Sequence, residues 1–145
     1  MRRNLRGLAV ILVFGSLAAC GGRHSPAGFR LPENGDVERG KATFVELKCS
    51  GCHTVANVEL PPPTSVGLPV PLGGIVHETR TDGYLVTSII HPSHKIASSQ
   101  RALPATEGES HMPDFTRQMT VRQLVDLVAF LQSTYKIESP PYSGQ

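Results

Sequence analysis

Two cysteines and a histidine fall within five residues, Cys49-Ser50-Gly51-Cys52-His53. The C-x-x-C-H spacing sets two thiols three positions apart and an imidazole directly after the second. Such a pair can reach the two vinyl groups of one haem as thioethers, and the histidine then stands below the iron as its proximal ligand. Two other chemistries use cysteines at this spacing. A redox dithiol needs a preceding strand in a βαβ unit, whereas the stretch before Cys49 is patterned as a helix. Structural zinc needs four ligands, and with no second C-x-x-C only scattered histidines remain to complete a set. We therefore read the motif as covalent attachment of one haem c through Cys49 and Cys52, with His53 on the iron.

The flanking elements have to position that motif. Gly35 to Leu47 carries Val37, Phe44, Val45 and Leu47 with Glu38 and Lys41 outward, and Asp36 is suited to cap it. This predicts a helix running into Cys49. At the other end Thr120-Val121-Arg122-Gln123 opens as a capping box. Val121, Leu124, Val125, Val128 and Leu131 follow at helical spacing and predict a helix of about fifteen residues with one apolar stripe. A third helix is expected from Asp82 to Ile90, capped by Thr81 or Asp82, turning Tyr84, Leu85 and Ile89 inward and stopped by Pro92. No stretch alternates with period two for long enough to build a sheet. Val58 to Gly74 is rich in Pro and Gly and reads as loop, and Pro61-Pro62-Pro63 stiffens it.

The chain has 145 residues, 39% hydrophobic and 18% charged, which suits one small domain and excludes a multi-span membrane protein. Arg2, Arg3 and Arg6 account for the formal charge of +2. Without them 11 Lys and Arg face 12 Asp and Glu. A near-neutral body argues against a nucleic-acid partner, which would select a basic face. With 14 Gly, 12 Pro and no Trp, the side chains alone make a modest core. Such a chain folds more readily around a prosthetic group.

The three arginines precede an uncharged run of twelve residues from Leu8 to Ala19. That is too short to span ~30 Å of hydrocarbon and matches the apolar region of a signal peptide. It ends Leu17-Ala18-Ala19-Cys20-Gly21, which resembles a bacterial lipobox whose cysteine is lipidated. Cys20 is also the odd cysteine of three. The reading is a lipoprotein signal over 1–19, lipidation at Cys20, a tether over 20–34, a domain over 35–136 and a tail over 137–145. An ordinary secretory signal cut after Ala19 is the plainer alternative. Either exports the chain from the cytosol, and the first fixes it to a membrane of the cell envelope, facing the periplasm.

From Gly35 to about Tyr135 the chain resembles a class I monohaem cytochrome c. The resemblance implies an all-α fold of three to four helices around one covalently bound haem, with long loops. It implies a first helix that leads into the haem motif and a last helix that crosses it. Gly40, Phe44 and Phe130 match the family's Gly and two aromatics at that crossing. It also implies a distal methionine before a proline, just ahead of the last helix, and Met112-Pro113 stands there, 59 residues after His53. A thioether favours ferrous iron and raises the potential, while bis-histidine ligation would lower it. Met119, His111, His77, His91 and His94 are the competing ligands by residue type. The family orients its proximal histidine through a proline carbonyl in a Gly-Pro-x-Leu-like segment. Leu68-Pro69-Val70-Pro71-Leu72 lacks that Gly, leaving Pro71 as the expected acceptor and Pro69 as its alternative.

The function these features imply is a non-enzymatic, membrane-anchored electron carrier that takes single electrons from a reduced redox protein and passes them to an acceptor. A haem subunit fixed in a respiratory or dehydrogenase complex, and a haem sensor or catalyst with an open sixth position, are the rival readings.

Overall fold

The computed structural model describes residues 29–65, 69–96 and 109–138. The signal sequence, Cys20, tether residues 21–28 and tail residues 139–145 lie outside the described residues. Three α-helices form the frame: α1 Val37–Glu46, α2 Asp82–Ile90 and α3 Val121–Thr134. Each begins on a side-chain cap. Asp36 accepts from the Arg39 amide, Thr81 from the Tyr84 amide, and Thr120 and Gln123 complete a reciprocal capping box. These acceptors satisfy amides that a helix N-terminus leaves without partners.

The core sits where α1 crosses α3. Phe44, Val55, Leu85, Val86, Ile89, Leu127, Val128, Phe130 and Leu131 form one buried cluster. Gly40 fixes the crossing, because a Cβ there would fall on the Asp126 carbonyl and meet the Phe130 Cβ at 2.6 Å. One turn further on, Phe44 packs edge-on to Phe130 with ring centres 5.7 Å apart. Edge contacts of this kind place a ring's positive rim on its neighbour's negative face.

The amphipathic stripes differ from the sequence expectation. Val37 and Val45 are exposed, and α1 buries Gly40, Thr43 and Phe44 instead. On α3, Val121 is 77% exposed, while Val125, Asp126, Leu127, Val128, Phe130 and Leu131 are all buried. A helix covered on more than one side loses the single stripe that periodicity assumes.

Asp126 is the buried charge at this crossing. Its carboxylate accepts the Asp36 amide at 2.9 Å and Arg39 Nε and Nη2 at 2.9 and 3.2 Å. The Arg39 hydrogen bond, helped by the Asp36 amide, holds the carboxyl below its ordinary value of 3.8, against the opposing effect of burial. A carboxylate lowered by folding stabilises the fold above its unfolded value and loses that contribution as pH falls through its folded value. Asp126→Asn should therefore melt well below the parent at neutral pH, and the gap should shrink once the pH drops under about 4. A gap of constant size in melts across that range would assign the loss to shape rather than charge.

Short strands complete the frame in two parallel pairs. β1 His53–Val55 pairs with β2 Val70–Leu72, and β3 Gly74–Val76 pairs with β4 Tyr135–Ile137. At three residues each they are too short to show alternation in sequence, so the all-α expectation holds for the frame but omitted these ties. Gly73 and Gly74, at φ 73° and 78°, turn β2 into β3 through a region that favours glycine. Gln132 Nε2 donates to the Arg80 carbonyl at 2.6 Å and fastens the start of α2 to α3.

Contacts reach past residues 35 and 136 at both ends. Leu31 packs against the core, and Asn34 accepts from Arg122 at 3.1 Å, so these two residues before α1 lie against the helices. Ile137, assigned to the tail, pairs in β4, and the Glu138 amide donates to the Val76 carbonyl at 3.0 Å.

Candidate functional site

The chain leaves α1 through Lys48, whose φ of 58° is left-handed, and enters a 3-10 turn over Cys49–Gly51. That turn begins at Cys49, is capped by Cys52 and delivers His53 as the first residue of β1. Nearby loops clasp it. The Thr64 and Ser65 amides both donate to the Gly51 carbonyl, at 3.0 and 2.9 Å, and the Val70 amide donates to the Cys52 carbonyl at 2.9 Å. The proline-rich loop thus closes over the motif.

Both thiols are free, Cys49 half-buried against the core and Cys52 exposed. Burial pushes the Cys49 thiol up to about 11, which disfavours its thiolate. A redox dithiol or a zinc site depends on a readily formed thiolate. Among the described residues, no group of three or more His, Cys, Asp or Glu side chains is arranged to hold a metal ion. Among the described residues the zinc alternative therefore lacks a ligand set, and the burial of Cys49 disfavours the thiolate that either alternative needs.

His53 is half-buried, its ring centre 6.4 Å from that of Phe44. Burial lowers its pKa below the ordinary 6.5, and the Val70 carbonyl partly offsets this. Burial thus favours the neutral imidazole, the form that ligates a metal. Nδ1 lies 3.2 Å from the Val70 carbonyl oxygen, which as an acceptor fixes the proton on Nδ1 and leaves the Nε2 lone pair available. Here the sequence expectation fails. The acceptor is Val70, neither Pro71 nor Pro69. Register explains it: β1 and β2 align His53 with Val70 and Thr54 with Pro71, and successive carbonyls of an extended strand point to opposite sides.

The expected distal residue lies in the loop before α3. Met112 is half-buried, and its amide donates to Ser110 Oγ at 3.1 Å. Phe115 is buried and anchors the loop, its carbonyl accepting the Gln118 and Met119 amides at 3.0 and 3.1 Å. Met119 packs against the core cluster, which occupies it with structure. His111, His77, His91 and His94 are exposed. Cys49, Cys52 and His53 thus share one turn, and Met112 stands apart on the second loop. Sequence reasoning missed Val70, Ser110, Phe115 and Asp126. Of these, only Asp126 carries a sequence signal, an acid flanked by Val125 and Leu127 on an otherwise apolar helix.

The donor set fits haem: two free thiols on one turn and a neutral imidazole with one nitrogen already occupied. Comparison with known families agrees. The sequence profile of the family described as Cytochrome c matches residues 37–135. The chain belongs to the cytochrome c family. No curated protein and no solved structure matches the sequence. As a cytochrome c, the protein binds covalently attached haem c and serves haem-based electron transfer. The α1–α3 crossing at Gly40, Phe44 and Phe130 is the frame of the cytochrome c fold. The β1–β2 pair is the tie by which this cytochrome c holds His53 to the loop that carries Val70.

Proposed function

We propose that this cytochrome c is an exported single-electron carrier that holds one haem through Cys49 and Cys52, with His53 and Met112 as axial ligands. The observation that carries the proposal is the His53 geometry. Nδ1 is held by the Val70 carbonyl, beside two free thiols on the same turn. Bound there, the haem iron supplies reversible one-electron chemistry between ferrous and ferric states.

The chain's own residues set the conditions. The Val70 carbonyl keeps His53 in one tautomer and orientation and raises its basicity. Ser110 and Pro113 flank Met112 and restrict its backbone, and Phe115 pins the loop from below, which helps to present a weak thioether donor. Phe44, Leu127, Val128 and Phe130 supply an apolar, closely packed surround that limits reorganisation when charge changes. With His53 and Met112 both holding the iron, no position would be open to a substrate, and redox proteins would dock weakly and transiently.

Met112→Ala should leave haem attached but open the sixth position. The reduced variant then binds carbon monoxide readily where the parent does not. Met112→His should keep six ligands and lower the potential, because imidazole prefers ferric iron more than a thioether does. Met119→Ala should alter neither carbon monoxide binding nor potential. A parent that binds carbon monoxide as readily as Met112→Ala would instead support the sensor or catalyst reading.

The same proposal places the protein on a membrane of the cell envelope through a lipid on Cys20, on the strength of the Leu17-Ala18-Ala19-Cys20 sequence. Several acyl chains anchor stably where one binds marginally. Cys20→Ser should move the mature protein from the membrane fraction to the soluble one. Retention of a correctly cleaved Cys20→Ser protein in the membrane would place the anchor elsewhere.

A further inference from the structure

His91 and His94 flank a single turn after α2, separated by Pro92 and Ser93. Both are exposed, and their ring centres lie 6.1 Å apart with the planes inclined by 31°. An imidazole nitrogen binds a zinc-sized ion at about 2.0–2.1 Å, so two rings at neighbouring positions on one ion have centres roughly 4.5–5 Å apart. Rotation of the exposed His91 side chain that brings the two ring centres roughly 1 Å closer would let them share one ion.

The turn is rigid, and His94 is set in one tautomer. Pro92 opens the 3-10 turn with a preset φ. The His91 carbonyl accepts the His94 amide at 3.1 Å and His94 Nδ1 at 2.9 Å. That second bond places the proton on Nδ1 and leaves Nε2 as a lone-pair donor. It is the arrangement in which a metal-ligating histidine gives its other ring N–H to a backbone carbonyl. The His94 ring also packs edge-on to Tyr84, with centres 6.3 Å apart. Ser93 Oγ accepts the Ser110 amide at 3.0 Å, which holds the turn against the loop that carries Met112.

We propose that His91 and His94 form a surface site for one divalent transition-metal ion, independent of the haem. Water fills the remaining positions, since among the described residues no third His, Cys, Asp or Glu completes a set. Two imidazoles and no thiolate select nitrogen-preferring ions, and the affinity order among first-row divalent metals makes Cu(II) the tightest guest. Lys95 and Arg80, both over the Tyr84 ring, bring positive charge close by and keep the site weaker than one completed by a carboxylate.

The test is calorimetric titration of the haem-loaded, oxidised full chain with Cu(II), followed by electron paramagnetic resonance of the copper. One Cu(II) per chain should bind, with nitrogen splitting from two imidazoles. His91→Ala and His94→Ala should each weaken binding by about tenfold or more. His77→Ala is the control. That histidine also directs Nδ1 to a backbone carbonyl, at 2.9 Å from Glu138, but stands outside the pair, so copper binding should not change. A parent that binds no copper, or a His91→Ala/His94→Ala double variant that binds it as tightly as the parent, would overturn the proposal.

Discussion

Replacing Cys49 and Cys52 together with alanine should yield a chain that carries no haem and fails to reach the native fold. The thiols sit on the turn that joins α1 to β1, and the described buried apolar core is only eleven side chains. For a domain of about a hundred residues that is a thin core, and the apolar faces around His53 would meet water instead of a porphyrin. The loss should be close to complete in the haem absorbance of the purified protein and large in its helical circular dichroism. Either single replacement should leave one thioether and an intermediate result, since half of the covalent tie remains. Native circular dichroism in the double variant without haem would show that the side chains alone suffice.

Gly40→Ala should be the most damaging single-methyl substitution in the protein. Its Cβ would fall on the Asp126 carbonyl, and backbone cannot rotate away as a side chain can. Helices α1 and α3 would have to part, and Phe44 would lift from Phe130 while the Arg39 and Asp36 bonds to Asp126 stretch. Overpacking in a close-packed core costs about 1–3 kcal/mol, and a backbone clash stands at or beyond the upper end. Denaturant titration of the haem-loaded variant measures it. Ala42 is exposed on the same helix, so Ala42→Gly should cost only the roughly 1 kcal/mol of helix propensity and calibrates the comparison. Equal losses at the two positions would mean that the crossing has room for a methyl group.

These expectations differ in how far they could be read from sequence. The haem motif is legible because chemistry fixes its spacing: two thiols and an imidazole must reach one ligand, whatever surrounds them. The three helices are legible because their caps are local. Asp36, Thr81 and Thr120 each bond an amide within three residues. What contacts decide is not local. Val70 became the His53 acceptor through the register of a three-residue parallel pair, and nothing in Pro69-Val70-Pro71 announces that register. Val121 falls on the helical stripe yet projects into solvent, while Asp126 falls off it and is buried, because α1 lies against that side of α3. Leu31 belongs to the core although its neighbourhood reads as tether, since one apolar side chain among Pro, Glu and Asn carries no periodicity.

The rigid and less local parts of the site divide along the same line. Cys49, Cys52 and His53 are held by one turn and the loops that bond to it, so their mutual arrangement follows from a short piece of chain. Met112, the proposed distal ligand, depends on a separate loop, secured by Ser110 and Phe115. Ligand exchange should accordingly begin at Met112 when the fold is weakened, well before His53 lets go.

The central claim is that Cys49 and Cys52 hold one haem on this turn. Peptide mass mapping of the native protein after complete denaturation tests it directly. The account predicts that the peptide spanning Cys49 to His53 carries the added mass of exactly one haem, with neither thiol open to alkylation. A peptide of unmodified mass, with both cysteines alkylated, would contradict it.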